Sequence, residues 1–166
     1  RRWWLDKVLR ISIKRNFRYD AEIQFLRDKQ GALDLKLTRI DPDMRVDAID
    51  CNGTPAEWIT LPGSRNDKVI FYIHGGAWMF KFPRLHHAMV ANWCRRIRAR
   101  ALMVDYRLAP EERFPKGVDD VWAAWRWLMA QGIPTQDVII AGDSAGGNLT
   151  LALLHRIKAA GQPMPA

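Results

Sequence analysis

The chain has 166 residues, 48% of them hydrophobic, which is ordinary for one soluble globular domain with a sizeable core. No apolar run is long enough for a transmembrane helix, and the first residues lack the apolar region of a secretory signal peptide. Cys51 and Cys94 have neither metal-ligand spacing nor a clear pairing signal. We therefore expect free thiols and a cytoplasmic location, while the spacing leaves a disulfide open.

The net charge of +8 comes mainly from two basic segments, residues 1–30 and 84–100. Such segments could bind the phosphates of lipids or of nucleic acid, but solvated helix faces have the same composition, and we favour that interpretation. No signature of a nucleic-acid-binding fold accompanies the charge, so we expect no nucleic-acid partner.

The N-terminal segment, residues 1–17, has the pattern of an amphipathic helix. Its basic residues recur at spacings of three and four, which places them on one face; they are Lys7, Arg10, Lys14 and Arg18. A second, shorter helix is expected near residues 21–29. We assign residues 1–40 to N-terminal helices and 41–166 to a sheet with its helices, all within one domain.

Strands and helices alternate along the rest of the chain. The predicted strands are 44–49, 56–61, 69–73, 101–104 and 137–141, and the predicted helices are 84–99, 117–130 and one ending near 160. Leu85, Met89, Trp93 and Ile97 are the expected apolar stripe of the helix at 84–99. Continuous apolar strands that alternate with helices indicate a mostly parallel sheet with helices on both faces.

Small residues follow the strand at 69–73, in the sequence His74-Gly75-Gly76-Ala77-Trp78. Such a loop can bring backbone N–H groups within about 3 Å of a developing oxyanion. The next strand leads into Asp105-Tyr106-Arg107-Leu108-Ala109-Pro110-Glu111, where Arg107 and Glu111 are expected to brace the loop through charge-assisted bonds. Trp78 and Phe80 are expected either to line a pocket or to fill the core.

The most informative pattern is Gly142-Asp143-Ser144-Ala145-Gly146-Gly147, between an apolar strand and a helix. Glycines on both sides of the serine let such a turn tighten, so that the hydroxyl is exposed at the end of the strand, as in a nucleophile elbow. Ser144 is therefore the predicted nucleophile. Asp143 is expected to be structural, because neighbouring strand residues point to opposite faces.

Taken in order, HGGAW, DYRLAPE, Phe114-Pro115 and GDSAGG resemble the motifs of the hormone-sensitive-lipase family of α/β-hydrolases. The resemblance covers about residues 69–160 and implies the α/β-hydrolase fold, with N-terminal helices that contribute to a cap over the acyl pocket. It also implies hydrolysis of carboxylic esters by a Ser–His–Asp triad, without cofactor or metal.

The resemblance assigns roles to the residues of both motifs. Ser144 would be the catalytic nucleophile, and Gly76, Ala77 and Ala145 would donate backbone N–H groups to the oxyanion, with Gly75 supporting the loop. A small acyl ester is the expected substrate. The N-terminal basic helix could contact lipid or a membrane surface, but the family favours its role in the cap.

The chain departs from the family pattern after the nucleophile. The expected order is Ser, then Asp or Glu, then His. The segment after Ser144 contains one histidine, His155, and no Asp or Glu. His155 lies eleven residues along the helix that leads away from the serine. His74 is expected to be structural, and His86 and His87 are expected to be solvated. We therefore expect a domain truncated after the elbow helix, whose missing C-terminal portion supplies acid and histidine.

Two further expectations follow from a truncated domain. The elbow strand would lie on an open edge of the sheet, which invites pairing with another chain. The chain by itself, residues 1–166, would be inactive as an esterase despite its nucleophile. The alternative to an esterase is a non-catalytic module that binds a small ligand on the same fold.

Overall fold

The computed structural model of the protein describes residues 23–166. The helices are α1 (Ile23–Leu37), α2 (Pro83–Ile97), α3 (Lys116–Ala130) and α4 (Ala145–Ala159), and the strands are β1 (Arg45–Asp50), β2 (Pro55–Thr60), β3 (Arg65–Ile73), β4 (Ala99–Val104) and β5 (Val138–Gly142). The predicted helix at 1–17, with its basic face, lies outside the described residues. Within the described part of the chain, no helix is long and apolar enough to cross a bilayer.

The five strands form one mixed sheet in the order β1-β2-β4-β3-β5. β3 pairs in parallel with β4 and β5, whereas β2 pairs antiparallel with β1 and β4. The parallel pairing predicted for most of the sheet is thus limited to the three strands that alternate with helices. β1 and β2 are joined by a tight turn in which Asn52 and Gly53 both have positive φ, and such a turn returns the chain antiparallel.

Helices cover both faces of the sheet, as predicted. Along β3, Phe71 and Ile73 belong to the core under α3 and α4, whereas Tyr72 belongs to the core under α2. Trp125 of α3 is fully buried, and its ring meets that of Phe71 edge to face with centroids 5.7 Å apart. Because both faces of β3 are covered, the strand has the continuous apolar sequence typical of a parallel sheet.

The helix α2 buries a face that overlaps only partly with the predicted one, since only the middle two residues of the expected apolar stripe pack against the core. Leu85 and Ile97 of the expected apolar stripe are 50% and 48% exposed. The predicted solvation of His86 and His87 is wrong, because both lie buried between α2 and the sheet. Their partners explain the burial. His87 Nε2 lies 2.7 Å from Glu57 Oε2, and the His86 ring packs against the ring of Tyr72 on β3.

The helix α1 is longer than the helix predicted at 21–29, since it runs to Leu37. Its second half is held by the buried carboxylate of Asp34, which accepts hydrogen bonds from the backbone N–H groups of Arg84 at 2.8 Å and Leu85 at 2.9 Å. These groups belong to the first turn of α2, where an N–H has no acceptor within its own helix. This tertiary contact explains why α1 continues past Gly31, where local propensity favours an end.

The strand β5 lies at one edge of the sheet and, among the described residues, pairs only with β3. Among these residues β5 is therefore an edge strand, as the sequence predicts; the Ile139 side chain is 44% exposed, and the Val138 carbonyl accepts a hydrogen bond from the Ala166 N–H at 3.1 Å. The parallel strands β3, β4 and β5 all end at the same side of the sheet. The loops that carry the predicted site residues therefore begin close together.

Candidate active site

Ser144 lies in a strained turn between β5 and α4. Its φ of 49° and ψ of −117° fall in a region that residues with a Cβ rarely adopt. The side chain is exposed and does not cap α4, which leaves the hydroxyl available for reaction. The turn places Ser144 at the N-terminal end of α4, where the helix dipole favours negative charge.

Two glycines allow the close backbone packing of this turn. A Cβ at Gly142 would lie 2.5 Å from the carbonyl oxygen of Gly146, and a Cβ at Gly146 would overlap the carbonyl oxygen of Ile73 at the end of β3. Gly147 is less crowded, since its Cβ would lie 3.4 Å from the carbonyl oxygen of Gly142. The Gly-x-Ser-x-Gly pattern is therefore required by the packing of α4 on β3 as well as by the turn itself.

The predicted oxyanion loop, His74–Trp78, directly follows β3. Three successive residues, from Gly76 to Trp78, have positive φ, at 123°, 53° and 58°. The turn is closed by the N–H groups of Met79 and Phe80, which donate to the carbonyl oxygen of Gly76 at 3.0 and 2.8 Å. The left-handed conformation is costly for residues with a Cβ, so the sequence gives no local sign of it after Gly76.

The backbone N–H groups of the two motifs are not equivalent. The N–H of Gly75 donates to Asp143 Oδ1 at 2.7 Å and is therefore not free to bind an oxyanion. This bond ties Gly75 to the elbow, and the supporting role of Gly75 in the loop stays a prediction. Within residues 23–166, the N–H groups of Gly76, Ala77 and Ala145 have no hydrogen-bond acceptor. Their role as oxyanion donors stays a prediction.

The Asp143 side chain connects the elbow to β3, to the oxyanion loop and to α2, in agreement with a structural role. Its Oδ1 also accepts a hydrogen bond from the Tyr72 hydroxyl at 2.6 Å, and His86 Nε2 lies 3.8 Å away. Burial alone would raise the pKa of Asp143, but the bonds from Tyr72 and Gly75 outweigh it and lower the pKa. The sequence analysis missed Tyr72, because an aromatic residue in an apolar strand has the pattern of ordinary core, and it expected His86 to be solvated.

His74 is a structural residue of the loop. Its ring stacks on Tyr106 with centroids 4.3 Å apart, and its Nδ1 lies 2.7 Å from the carbonyl oxygen of Gly75. Burial lowers the pKa of His74 to about 4, so the ring is neutral at pH 7, and the geometry assigns the proton to Nδ1. Burial also lowers the pKa of His86. Neither ring is hydrogen-bonded to Ser144.

The loop after β4 is braced by Arg107 and Glu111, as predicted, although their partners lie in helices. Arg107 contacts Asp120 of α3 at 2.6 Å, and Glu111 contacts Arg27 of α1 at 2.7 Å. Arg27 also donates to carbonyl oxygens of the loops that follow β3 and β4. The helix α1 is thus fixed at the same end of the sheet as Ser144, which is the position that a cap would occupy.

The two aromatic residues in and after the oxyanion loop differ in burial. Phe80 is buried and fills core, whereas Trp78 is 45% exposed.

A cavity of about 200 Å³ lies beside the loop, and its lining residues are Glu57, His74, Lys81, Pro83, His86, His87, Met103, Val104 and Asp105. Ser144 does not line this cavity, so the reacting bond would lie elsewhere. Among residues 23–166, no three His, Cys, Asp or Glu side chains are arranged to hold a metal ion.

The described residues place no histidine in hydrogen-bond contact with Ser144. His155 is exposed on α4, eleven residues further along and therefore about 16 Å away along the helix axis. By itself the arrangement can stabilise negative charge beside a serine hydroxyl, but it does not provide the proton transfer that activates the hydroxyl.

Comparison with known proteins relates the chain to hydrolases. A family model described as an alpha/beta hydrolase fold matches residues 70–166. The chain is 36% identical over 126 residues to an esterase of Acinetobacter venetianus, which covers 76% of this chain and 41% of that protein. It is 35% identical over 114 residues to the carboxylesterase/phospholipase LipF of Mycobacterium tuberculosis, covering 66% of this chain and 31% of that protein.

Solved structures give the same relation in three dimensions. An esterase from the bacterial hormone-sensitive lipase family matches with a TM-score of 0.84 and 37% identity, over 97% of this chain and 54% of that one. The predicted α/β-hydrolase fold is thereby confirmed. The chain spans less than half the length of these two curated relatives and about half the length of this solved structure.

The packing of the elbow predicts opposite effects for two neighbouring substitutions. Gly146→Ala should lower the free energy of unfolding by about 1–3 kcal/mol, because its Cβ would overlap the carbonyl oxygen of Ile73. Gly147→Ala should be neutral or stabilising by up to about 1 kcal/mol, since alanine favours the helix and its Cβ has room. Thermal unfolding of both purified variants measures the difference, and equal stabilities would contradict the packing argument.

The buried His74 predicts that stability depends on pH. Its folded pKa of about 4 lies below the ordinary value of 6.5, so its contribution is complete above pH 6.5 and is lost as the pH falls toward 4. The loss is on the order of 3 kcal/mol. His74→Asn keeps an N–H donor but cannot titrate, so the free energy of unfolding should vary less steeply over this interval. Urea denaturation at several pH values measures the slope, and an unchanged slope would exclude His74 as the titrating group.

Proposed function

This chain belongs to the hormone-sensitive-lipase family of α/β-hydrolases, and we propose that it forms the nucleophile and oxyanion-binding part of a serine carboxylesterase. The observation that carries the proposal is the strained backbone of Ser144, with its exposed hydroxyl at the start of α4. Strain of this kind is retained mainly at functional sites. Relatives named esterase and carboxylesterase support the same class of reaction.

The reaction that fits this site is acyl transfer through the serine. Ser144 Oγ bonds to the carbonyl carbon of the ester while its proton passes to a general base, and the carbonyl oxygen becomes an oxyanion. Gly76, Ala77 and Ala145 are the proposed N–H donors to that oxyanion, and the dipole of α4 adds to the stabilisation. The alcohol then leaves with the proton, and water hydrolyses the acyl-serine.

The general base and the acid that orients it are proposed to come from a further polypeptide segment. After Ser144 the sequence contains one histidine, His155, and no Asp or Glu. Of the earlier histidines, His74 is bound to a carbonyl oxygen, and His86 and His87 are buried between α2 and the sheet. The chain corresponds to 31–41% of the two curated relatives, so the rest of their length can supply both residues. The missing C-terminal portion is therefore part of the proposal.

We propose a small acyl ester as the substrate, with no cofactor, because a serine, a histidine and an acid suffice for this chemistry. The contacts of Arg27 with the loops after β3 and β4 support a cap role for the N-terminal helices, ahead of contact with a membrane surface. A cytoplasmic location is also part of the proposal. It is supported by Cys51 and Cys94, which are both buried and free.

The proposal predicts that an organophosphonate labels Ser144 in the full-length protein. Ser144→Ala should abolish labelling and lower kcat at least about a thousandfold. Ser64→Ala is the matched control, because its hydroxyl donates to the Ala99 carbonyl at the opposite end of the sheet. Peptide mapping and ester turnover provide the measurement. An adduct on another serine would contradict the assignment, and a wild-type protein that neither labels nor turns over ester would favour the ligand-binding module.

The proposal also predicts that residues 1–166 alone are not a working esterase. Without histidine and acid, only the catalysis of the oxyanion donors and of binding remains, roughly 10³–10⁴ over the reaction in water. Hydrolysis of a p-nitrophenyl ester by the purified chain, compared with the full-length protein, measures this deficit. Adding the separately expressed C-terminal portion should restore turnover. A kcat equal to that of the full-length protein would require a base within this chain.

A further inference from the structure

One carboxylate oxygen connects the elbow, the oxyanion loop and the core. Asp143 Oδ1 accepts hydrogen bonds from the Gly75 N–H at 2.7 Å and from the Tyr72 hydroxyl at 2.6 Å. Gly75 precedes the proposed oxyanion donors of the loop by one residue, and Asp143 precedes the nucleophile by one residue. A single side chain therefore spans the two groups whose separation an acyl-transfer reaction depends on.

The anchor of this connection is rigid. Tyr72 is fully buried, and its ring packs against the rings of Trp93 at 5.9 Å and His86 at 5.8 Å, both on α2. Its hydroxyl therefore holds Asp143 Oδ1 at a position set by the sheet and α2. At the other end the fit is close, because a Cβ on Gly75 would overlap Asp143 Oδ2. The loop can lie this near the carboxylate only because residue 75 is glycine.

The oxyanion loop needs such a restraint because its backbone is strained. Ala77 and Trp78 have φ of 53° and 58°, and each left-handed residue with a Cβ costs roughly 1–2 kcal/mol. A strained loop relaxes unless contacts hold it, and an oxyanion donor is effective only at about 2.7–3.1 Å from the oxyanion. The bond from Gly75 to Asp143 holds the loop at the residue just before its proposed donors.

We propose that Asp143 is a positioning residue that sets the proposed N–H donors of the oxyanion loop, at Gly76 and Ala77, relative to Ser144. It does so by accepting a hydrogen bond, and its negative charge is not required. A charge beside a developing oxyanion is unfavourable for catalysis, whereas an amide oxygen can accept the same two bonds without it. This inference rests on the proposed esterase function.

The exposure of the Asp143 side chain distinguishes a positioning role from a role in packing the core. Its side chain is 42% exposed, so it adds little apolar burial. Asp119 of α3 is a matched control, because its side chain is 46% exposed and accepts a hydrogen bond from Arg156 at 2.8 Å, in an ion pair that involves neither the elbow nor the oxyanion loop. Removing either carboxylate deletes a partly exposed acceptor of hydrogen bonds, and only the removal at Asp143 should change catalysis.

The experiment compares Asp143→Ala, Asp143→Asn and Asp119→Ala in the full-length protein, by ester hydrolysis and by the rate of organophosphonate labelling. For Asp143→Ala we expect kcat to fall about 10–100-fold with KM changed less than about threefold, since the lost contact matters in the transition state. Asp143→Asn should restore kcat to within about fivefold of wild type, and Asp119→Ala should equal wild type.

The outcomes separate this inference from the function on which it rests. A wild-type protein without turnover or labelling would refute the esterase proposal itself. An active wild type with an unchanged kcat in Asp143→Ala, or an Asp143→Asn variant as slow as Asp143→Ala, would overturn the positioning role. Should Asp143→Ala not fold, Tyr72→Phe removes the anchor, and its kcat should fall at least about threefold at unchanged KM. An unchanged kcat in that variant would overturn the inference as well.

Discussion

The close approach of α4 to the end of β3 is the constraint on which the rest of the site depends. Gly146, in the first turn of α4, lies so near the carbonyl oxygen of Ile73 that no Cβ would fit between them. Ile73 is the last residue of β3, so the chain enters the oxyanion loop at the point where α4 begins. One backbone contact therefore brings together two motifs that are some seventy residues apart in the sequence.

The strand register accounts for the pairing of these motifs. In the parallel pair of β3 and β5, Ile73 is the partner of Gly142, so the residues that follow them leave the sheet side by side. Asp143 thereby comes within hydrogen-bond distance of the Gly75 N–H. The antiparallel strands β1 and β2 contribute no predicted site residue. β2 pairs with the edge of β4 that faces away from β3, and β1 pairs with β2.

Much of this fold is predictable from local patterns, and the exceptions share one physical cause. Continuous apolar runs identify the parallel strands, and apolar residues at helical spacing, Val121, Trp125 and Leu128, mark the buried face of α3. The burial of His87 depends on Glu57, thirty residues earlier, and the length of α1 depends on a contact between Asp34 and α2. Hydropathy and helix propensity describe a residue and its neighbours in sequence, so they cannot predict contacts with residues that are distant in sequence.

The site shows the same division between local and distant information. The position of Ser144 follows from glycines beside it, whereas the part played by Tyr72 follows only from the register that brings it to Asp143. His74, the first residue of the oxyanion loop, is buried, has a lowered pKa and is bound to a carbonyl oxygen, so it is unsuited to accept a proton from the serine. The geometry thus favours stabilisation of charge at Ser144, and proton transfer needs a group that these residues do not bring to it.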